Sequence, residues 1–201
     1  DAVPAAFPTL AGELARSFRA WGEDDDGSPA DGPSPGTSEP WPDGRFDAMA
    51  LRAFRVQYAG NRLYRRFCGA RDASPASVTS WRDVPPVPTG VFREVRLVTG
   101  EPDGAVLEFR TSGTTRGEGR RGRHLVREPG LYRASLEAAF RRFVLRADGM
   151  APLARARFLS LVPRFGASGS SSLSWMAEAV IERFGRAGGV GAAGTEGLEL
   201  A

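Results

Sequence analysis

Leu107-Glu108-Phe109-Arg110-Thr111-Ser112-Gly113-Thr114-Thr115-Arg116-Gly117-Glu118-Gly119-Arg120-Arg121-Gly122-Arg123-His124 is the stretch on which the reading of this chain turns. A short β-compatible run, residues 105–110, feeds a series of hydroxyl residues. Glycines follow, and then five arginines between positions 116 and 127. Ser and Thr hydroxyls donate to phosphate oxygens or ligate Mg²⁺, glycines let backbone N–H groups approach a ligand closely, and guanidinium groups offset polyphosphate charge. The pattern therefore reads as an anion-binding loop, with an ordinary Ser/Thr/Gly turn carrying solvated arginines as the plain alternative. It is not a Walker loop. The spacing from Gly117 to Gly122 is followed by Arg123-His124, without the lysine and the Mg²⁺-binding hydroxyl which that motif requires. Gly117-Glu118-Gly119-Arg120-Arg121-Gly122 matches G-x-G-x-x-G literally but has no strand directly before it and no acidic partner in place.

Working outward, alternating strand and helix patterns predict an α/β fold. Upstream, residues 95–98 and 105–110 are β-compatible runs separated by the turn cluster 100–104, which predicts a hairpin or adjacent strands. Three prolines within 84–88 require extended chain. Ser74-Pro75 has the form of an N-cap and first turn for a short helix ending near Trp81. Phe46, Met49, Ala50, Ala53, Phe54 and Tyr58, continued by Leu63, Tyr64 and Phe67, predict one long or kinked helix with Cys68 at its end. Residues 22–44 hold five Gly, five Pro, the acidic run 24–26 and almost no aliphatics, the composition of a disordered linker. Before it, within 1–21, Phe7, Leu10, Leu14, Phe18 and Trp21 form the stripe of an amphipathic helix that needs a packing partner.

Downstream of the loop, His124-Leu125-Val126 predicts a brief strand. Pro129 opens a helix with Leu131, Leu136, Ala139, Phe140, Phe143 and Val144 on one side. Residues 158–162 read as a compact apolar strand. Residues 170–172 cap a last helix with Leu173, Met176, Ala177, Val180, Ile181 and Phe184 inward, ended by Gly185.

Composition narrows the function classes. The chain has 201 residues, 41% hydrophobic and 25% charged, which is a globular composition. No apolar run is long enough to span a membrane and no secretory signal pattern opens the chain, so a cytoplasmic protein is expected. One cysteine, Cys68, excludes an internal disulfide and a thiolate metal cluster. With no His near it in sequence, Cys68 reads as a buried small hydrophobe. All 27 basic residues are arginine, which removes Schiff-base and lysine general-base chemistry. His124 is the one histidine, so no multi-histidine metal site exists, and the Ser-rich stretch 168–174 has no G-x-S-x-G elbow. A nucleic-acid or polyanion-binding module is the competing class. A net charge of +3 is small, and no aromatics stand among the loop arginines to stack bases, so no nucleic-acid partner is expected.

Thr111-Ser112-Gly113-Thr114-Thr115 after a strand resembles the phosphate loop of adenylate-forming enzymes. With Val84-Pro85-Pro86-Val87-Pro88-Thr89-Gly90-Val91-Phe92-Arg93 upstream, Arg123-His124 after the loop and Ser170-Ser171-Ser172-Leu173-Ser174-Trp175-Met176 downstream, residues 45–201 resemble the acyl-protein synthetase (LuxE-type) family. The resemblance implies the N-terminal, truncated part of an adenylate-forming large domain. It also implies ATP- and Mg²⁺-dependent activation of a carboxylic acid, a long-chain fatty acid in this family, as acyl-adenylate for transfer to a protein thiol. An acyl-accepting or reductase protein is then the partner. On this reading Thr111, Ser112, Gly113, Thr114, Thr115, Gly117, Arg120, Arg121, Arg123 and His124 form the nucleotide site. Arg116 stands where the family has glycine, and Arg120 or Arg121 takes the place of the superfamily's loop lysine. The family's late catalytic lysine and acyl-accepting cysteine have no counterpart in these residues, and Cys68 does not take the latter role. A degenerate relative without activity is the remaining alternative.

Overall fold

The computed structural model describes residues 6–23, 43–111, 121–145, 158–166, 170–185 and 191–192. Along them run α1 (Ala6–Glu23), α2 (Asp43–Gly60), α3 (Arg62–Gly69), the short α4 (Val91–Glu94), β1 (Leu107–Arg110), β2 (Arg123–Val126), α5 (Pro129–Phe143), β3 (Leu159–Ser160), α6 (Ser172–Phe184) and β4 (Gly191–Ala192). The chain is mixed and helix-rich. β1 pairs antiparallel with β2, and β3 pairs parallel with β4. α6 lies between β3 and β4 in the chain, as parallel pairing demands, because no tight turn brings consecutive strands side by side in one direction.

The partner that the α1 stripe requires is α5. Leu10, Ala11 and Ala15 are its most deeply buried residues. At the far end the two helices approach so closely that a Cβ on Gly22 would stand 3.0 Å from Ala138 Cα. Trp21 meets Phe143 there, ring centroids 5.8 Å apart. Helix extends two residues into the expected linker at each end, through Glu23 and from Asp43; residues 24–42, with the acidic run, lie outside the described residues.

The long or kinked helix expected from Phe46 to Cys68 is broken at Asn61 into two helices, the second ending at Gly69. Asn61 is extended (φ −125°, ψ 101°), and its side chain accepts the Tyr64 N–H at 3.0 Å, so a new first turn is capped where the old helix stops. The Gly60 carbonyl freed at the break accepts the N–H of Gly100 at 2.7 Å. Leu51, Phe54, Tyr64, Cys68 and Val78 form a buried cluster around this bend, covered by Tyr58, Phe67, Val84 and Val87. Cys68 is fully buried, as expected of a small hydrophobe. The Tyr64 hydroxyl donates to the Pro85 carbonyl at 3.0 Å, which fastens the proline segment to the cluster.

Three local expectations are corrected. Ser74-Pro75 opens a single turn and no helix: the N–H groups of Ser77 and Val78 both go to the Ser74 carbonyl, and buried Val78 ends it. Residues 95–98 form no strand. The N–H of Gly100 (φ +81°) is spent on the helix break, and β1 takes β2 as its partner across the loop. Residues 158–162 give only the two-residue β3, with Leu159 and Leu161 exposed.

The inward faces of α5 and α6 differ in detail from expectation. In α5 the buried residues are Ala134 and Ala138, because close approach of α1 admits only small side chains, while Phe143 and Val144 turn outward. In α6 Ser174, Ala179 and Val180 are buried and Leu173 is exposed. Ser171 is the N-cap, and Gly185 ends the helix in an extended conformation.

Candidate functional site

β1 and β2 form a hairpin with register Leu107↔Val126, Glu108↔Leu125, Phe109↔His124 and Arg110↔Arg123. The Ser/Thr/Gly/Arg stretch is therefore the hairpin's loop, entered from a strand as expected. Beyond the last strand pair the ladder closes once more. The Thr111 N–H donates to the Gly122 carbonyl at 3.0 Å, and the Thr111 Oγ1 accepts the Gly122 N–H at 2.9 Å. Thr111 is thus a clamp at the loop base whose hydroxyl proton still has a donor direction to use. Ser112, Gly113, Thr114, Thr115, Gly117 and Arg120 lie outside the described residues.

Phe109 anchors the hairpin to the helices. It is buried, with the rings of Tyr132, Trp175 and Phe165 at 5.6, 5.9 and 6.2 Å. On alternate positions Glu108 and Arg110 share one side of β1. The Arg123 guanidinium grips Glu108 through Nε, at 3.0 Å, and Nη2, and Arg110 Nε reaches the same carboxylate at 2.8 Å. Arg123 first and Arg110 second hold the Glu108 carboxyl below the usual carboxylate range. Arg123, expected to face phosphate, is in this structure a partner of Glu108. Arg121 is half-buried two residues before β2.

Two sequence-distant segments come to the loop end of this hairpin. α4 brings Arg93, whose Cγ stands 3.5 Å from where a Gly122 Cβ would be, and Phe92, whose ring centroid is 4.3 Å from that of His124. From the other direction the Ser170 carbonyl accepts the Arg110 N–H at 2.8 Å, ahead of the α6 N-cap. Arg93, Arg110, Arg121 and Arg123 thus stand at the loop base with Glu108 as the carboxylate bound among them. Sequence reading missed Arg93 and Arg110 as members. Arg93 closes the proline-rich string quoted above, and Arg110 immediately precedes the hydroxyl run, but only the hairpin register and α4 bring them together.

Beside the hairpin lies a cavity of about 630 Å³, lined largely by apolar groups that include Val84, Pro86, Phe92, Leu125 and Leu131. Part of its polar lining is committed elsewhere. Asn61 caps α3, the Tyr64 hydroxyl is on Pro85, and the Ser135 hydroxyl donates to the Tyr132 carbonyl at 2.9 Å. Such a volume and lining suit a largely apolar small molecule. Phe92 belongs both to the cavity wall and to the His124 contact, so the cavity adjoins the loop base.

No family model, curated protein or solved structure matches this chain. Among the described residues no cluster of His, Cys, Asp and Glu is arranged to hold a metal ion, and no helix is long and apolar enough to cross a membrane.

Proposed function

We propose that the chain carries the phosphate-loop part of an ATP-dependent, carboxylate-activating ligase of the acyl-protein synthetase type, acting in the cytoplasm on a long-chain fatty acid. One observation carries this reading. The described parts of the segments on which the resemblance rests, 84–93, 107–111 with 121–124, and 170–176, are separated in sequence yet meet at one hairpin. An apolar cavity adjoins that point, which supports an acyl chain as the second ligand.

The chemistry asks for two things. A carboxylate is a weak electrophile, and forming an acyl-adenylate gives it a good leaving group. Holding the triphosphate in line and neutralising charge on departing pyrophosphate then lowers the barrier. The cation-rich loop base fits a polyphosphate in charge, and the Thr111 hydroxyl fits it as a donor. Thr111, Ser112, Thr114 and Thr115 would donate to phosphate oxygens, with Gly113 and Gly117 allowing close approach and Arg120, Arg121 and Arg123 offsetting charge. Mg²⁺, when bound, would neutralise the nucleotide's phosphates and be held chiefly through them, since the described residues supply no carboxylate cluster. His124, packed on Phe92, stands beside the cavity wall. Transfer to a thiol of an acceptor or reductase protein would follow.

The test is exchange of labelled pyrophosphate into ATP, dependent on tetradecanoate, with the natural protein that carries this sequence. Thr114→Ala and Arg120→Ala are expected to cut exchange by about tenfold or more. Absence of acid-dependent exchange, or exchange indifferent to both substitutions, would overturn the reading.

A further inference from the structure

On the side of α5 away from the hairpin, a second cavity lies where three helices end together. Trp21 meets Phe143 near the C-terminal ends of α1 and α5. Trp175 packs on Tyr132 near the start of α6, and Phe184 stacks on Phe140 at its finish, ring centroids 5.7 Å apart. The three helices therefore run in the same direction and bring their C-terminal ends to one place. Arginines collect there, as negative dipole ends favour. Arg142 lies over the Trp21 ring, with Cζ 5.1 Å from its centroid. Arg19, Arg141 and Arg183, one from each helix, line a cavity of about 120 Å³ floored by Gly22, Ala134 and Ala138.

These guanidiniums exceed what dipole compensation and ion pairing use. Glu137 is the carboxylate in the lining, and it is engaged by Arg133 at 2.7 Å and Arg183 at 3.6 Å. Arg133 also pairs with Glu182 at 2.8 Å. Arg19 and Arg141 have no carboxylate partner among the described residues, and in the described lining three guanidiniums stand with one carboxylate, Glu137. Phe184, itself in the wall, steadies two of the arginines. Arg141 and Arg183 lie over its ring with Cζ at 5.8 and 5.5 Å from the centroid. The space exceeds the ~30 Å³ that one water occupies in the liquid.

We propose that this cavity is a binding site for a phosphate group, gripped by Arg19, Arg141 and Arg183. A tetrahedral dianion suits a lining in which guanidiniums from three helices outnumber the carboxylate, and a planar monoanionic carboxylate is the poorer fit. The site is separate from the hairpin loop and does not depend on the function proposed for it.

Inorganic phosphate titrated into the full chain at fixed ionic strength, against chloride, tests the site. The readout is the Nε–Hε resonances of the arginines. Shifts are expected at Arg19, Arg141 and Arg183. Arg19→Gln, an exposed change on α1, and Arg141→Gln should each weaken binding by about tenfold or more, the worth of one charged hydrogen bond. Arg55→Gln on α2 should leave these shifts and the affinity unchanged. The proposal fails if phosphate leaves the three resonances in place. It fails equally if Arg19→Gln binds phosphate as the parent does.

Discussion

Arg123 holds Glu108 through two guanidinium nitrogens across the hairpin, and the carboxylate also receives Arg110 from its own strand. Because both cations depress the Glu108 pKa, the stabilisation they provide is present above the ordinary carboxylate pKa of about 4.3 and is lost as pH falls through the depressed native value. Glu108→Gln should therefore be less stable than the parent near neutrality, with the gap closing in acid. Urea midpoints measured across pH for both proteins check this. A gap that widened toward low pH would contradict the ion-pair account.

Asn61 ends one helix and starts another, and its side chain makes one hydrogen bond to do so. Asn61→Ala should cost about 0.5–2 kcal/mol, whereas Asn61→Asp, which keeps the acceptor, should cost less. Denaturant unfolding of the two variants measures the difference.

Gly22 is where α1 and α5 touch. A Cβ there would meet Ala138 at 3.0 Å from Cα and 3.1 Å from Cβ, so Gly22→Val must push the helices apart. A loss of about 1–3 kcal/mol is expected. Faster amide hydrogen exchange in α1 should accompany it, with the Asn61 region unaffected.

The Cys68 thiol is fully buried, and burial pushes its pKa above the ordinary thiol value. Native protein at mildly alkaline pH should react with a thiol-specific disulfide reagent far more slowly than urea-unfolded protein. Equal rates in the two states would place the side chain at the surface.

What was legible in the sequence was local. The strand leading into Thr111, the strand at His124-Leu125-Val126, Pro129 at the first turn of α5 and a serine of 170–172 as a helix cap all depend on neighbours in the chain, and all appear where they were read. What was not legible depended on distant partners. Residues 95–98 and 105–110 have equal claim to pair by composition, but the Gly100 N–H is captured by Gly60, forty residues earlier, and β1 turns to β2. The large residues of α5 looked like its core. Ala134 and Ala138 hold that place, because the closeness of Gly22 in α1 decides which side chains fit. At the candidate site, Arg93 and Ser170 reach the loop base from before and after the hairpin in the chain, and no spacing rule within the loop announces either.

Thr111 and Gly122 exchange two hydrogen bonds where the hairpin ladder stops. The connection between them is a closed loop, so residues added within it leave the strand register alone and cost only closure entropy, about 0.6 kcal/mol for each doubling of length. Arg116 and the extra glycines and arginines after it can be inserted on such terms. The hairpin thus separates two evolutionary freedoms: the loop can lengthen or shorten while Phe109 and its aromatic neighbours go on packing as before.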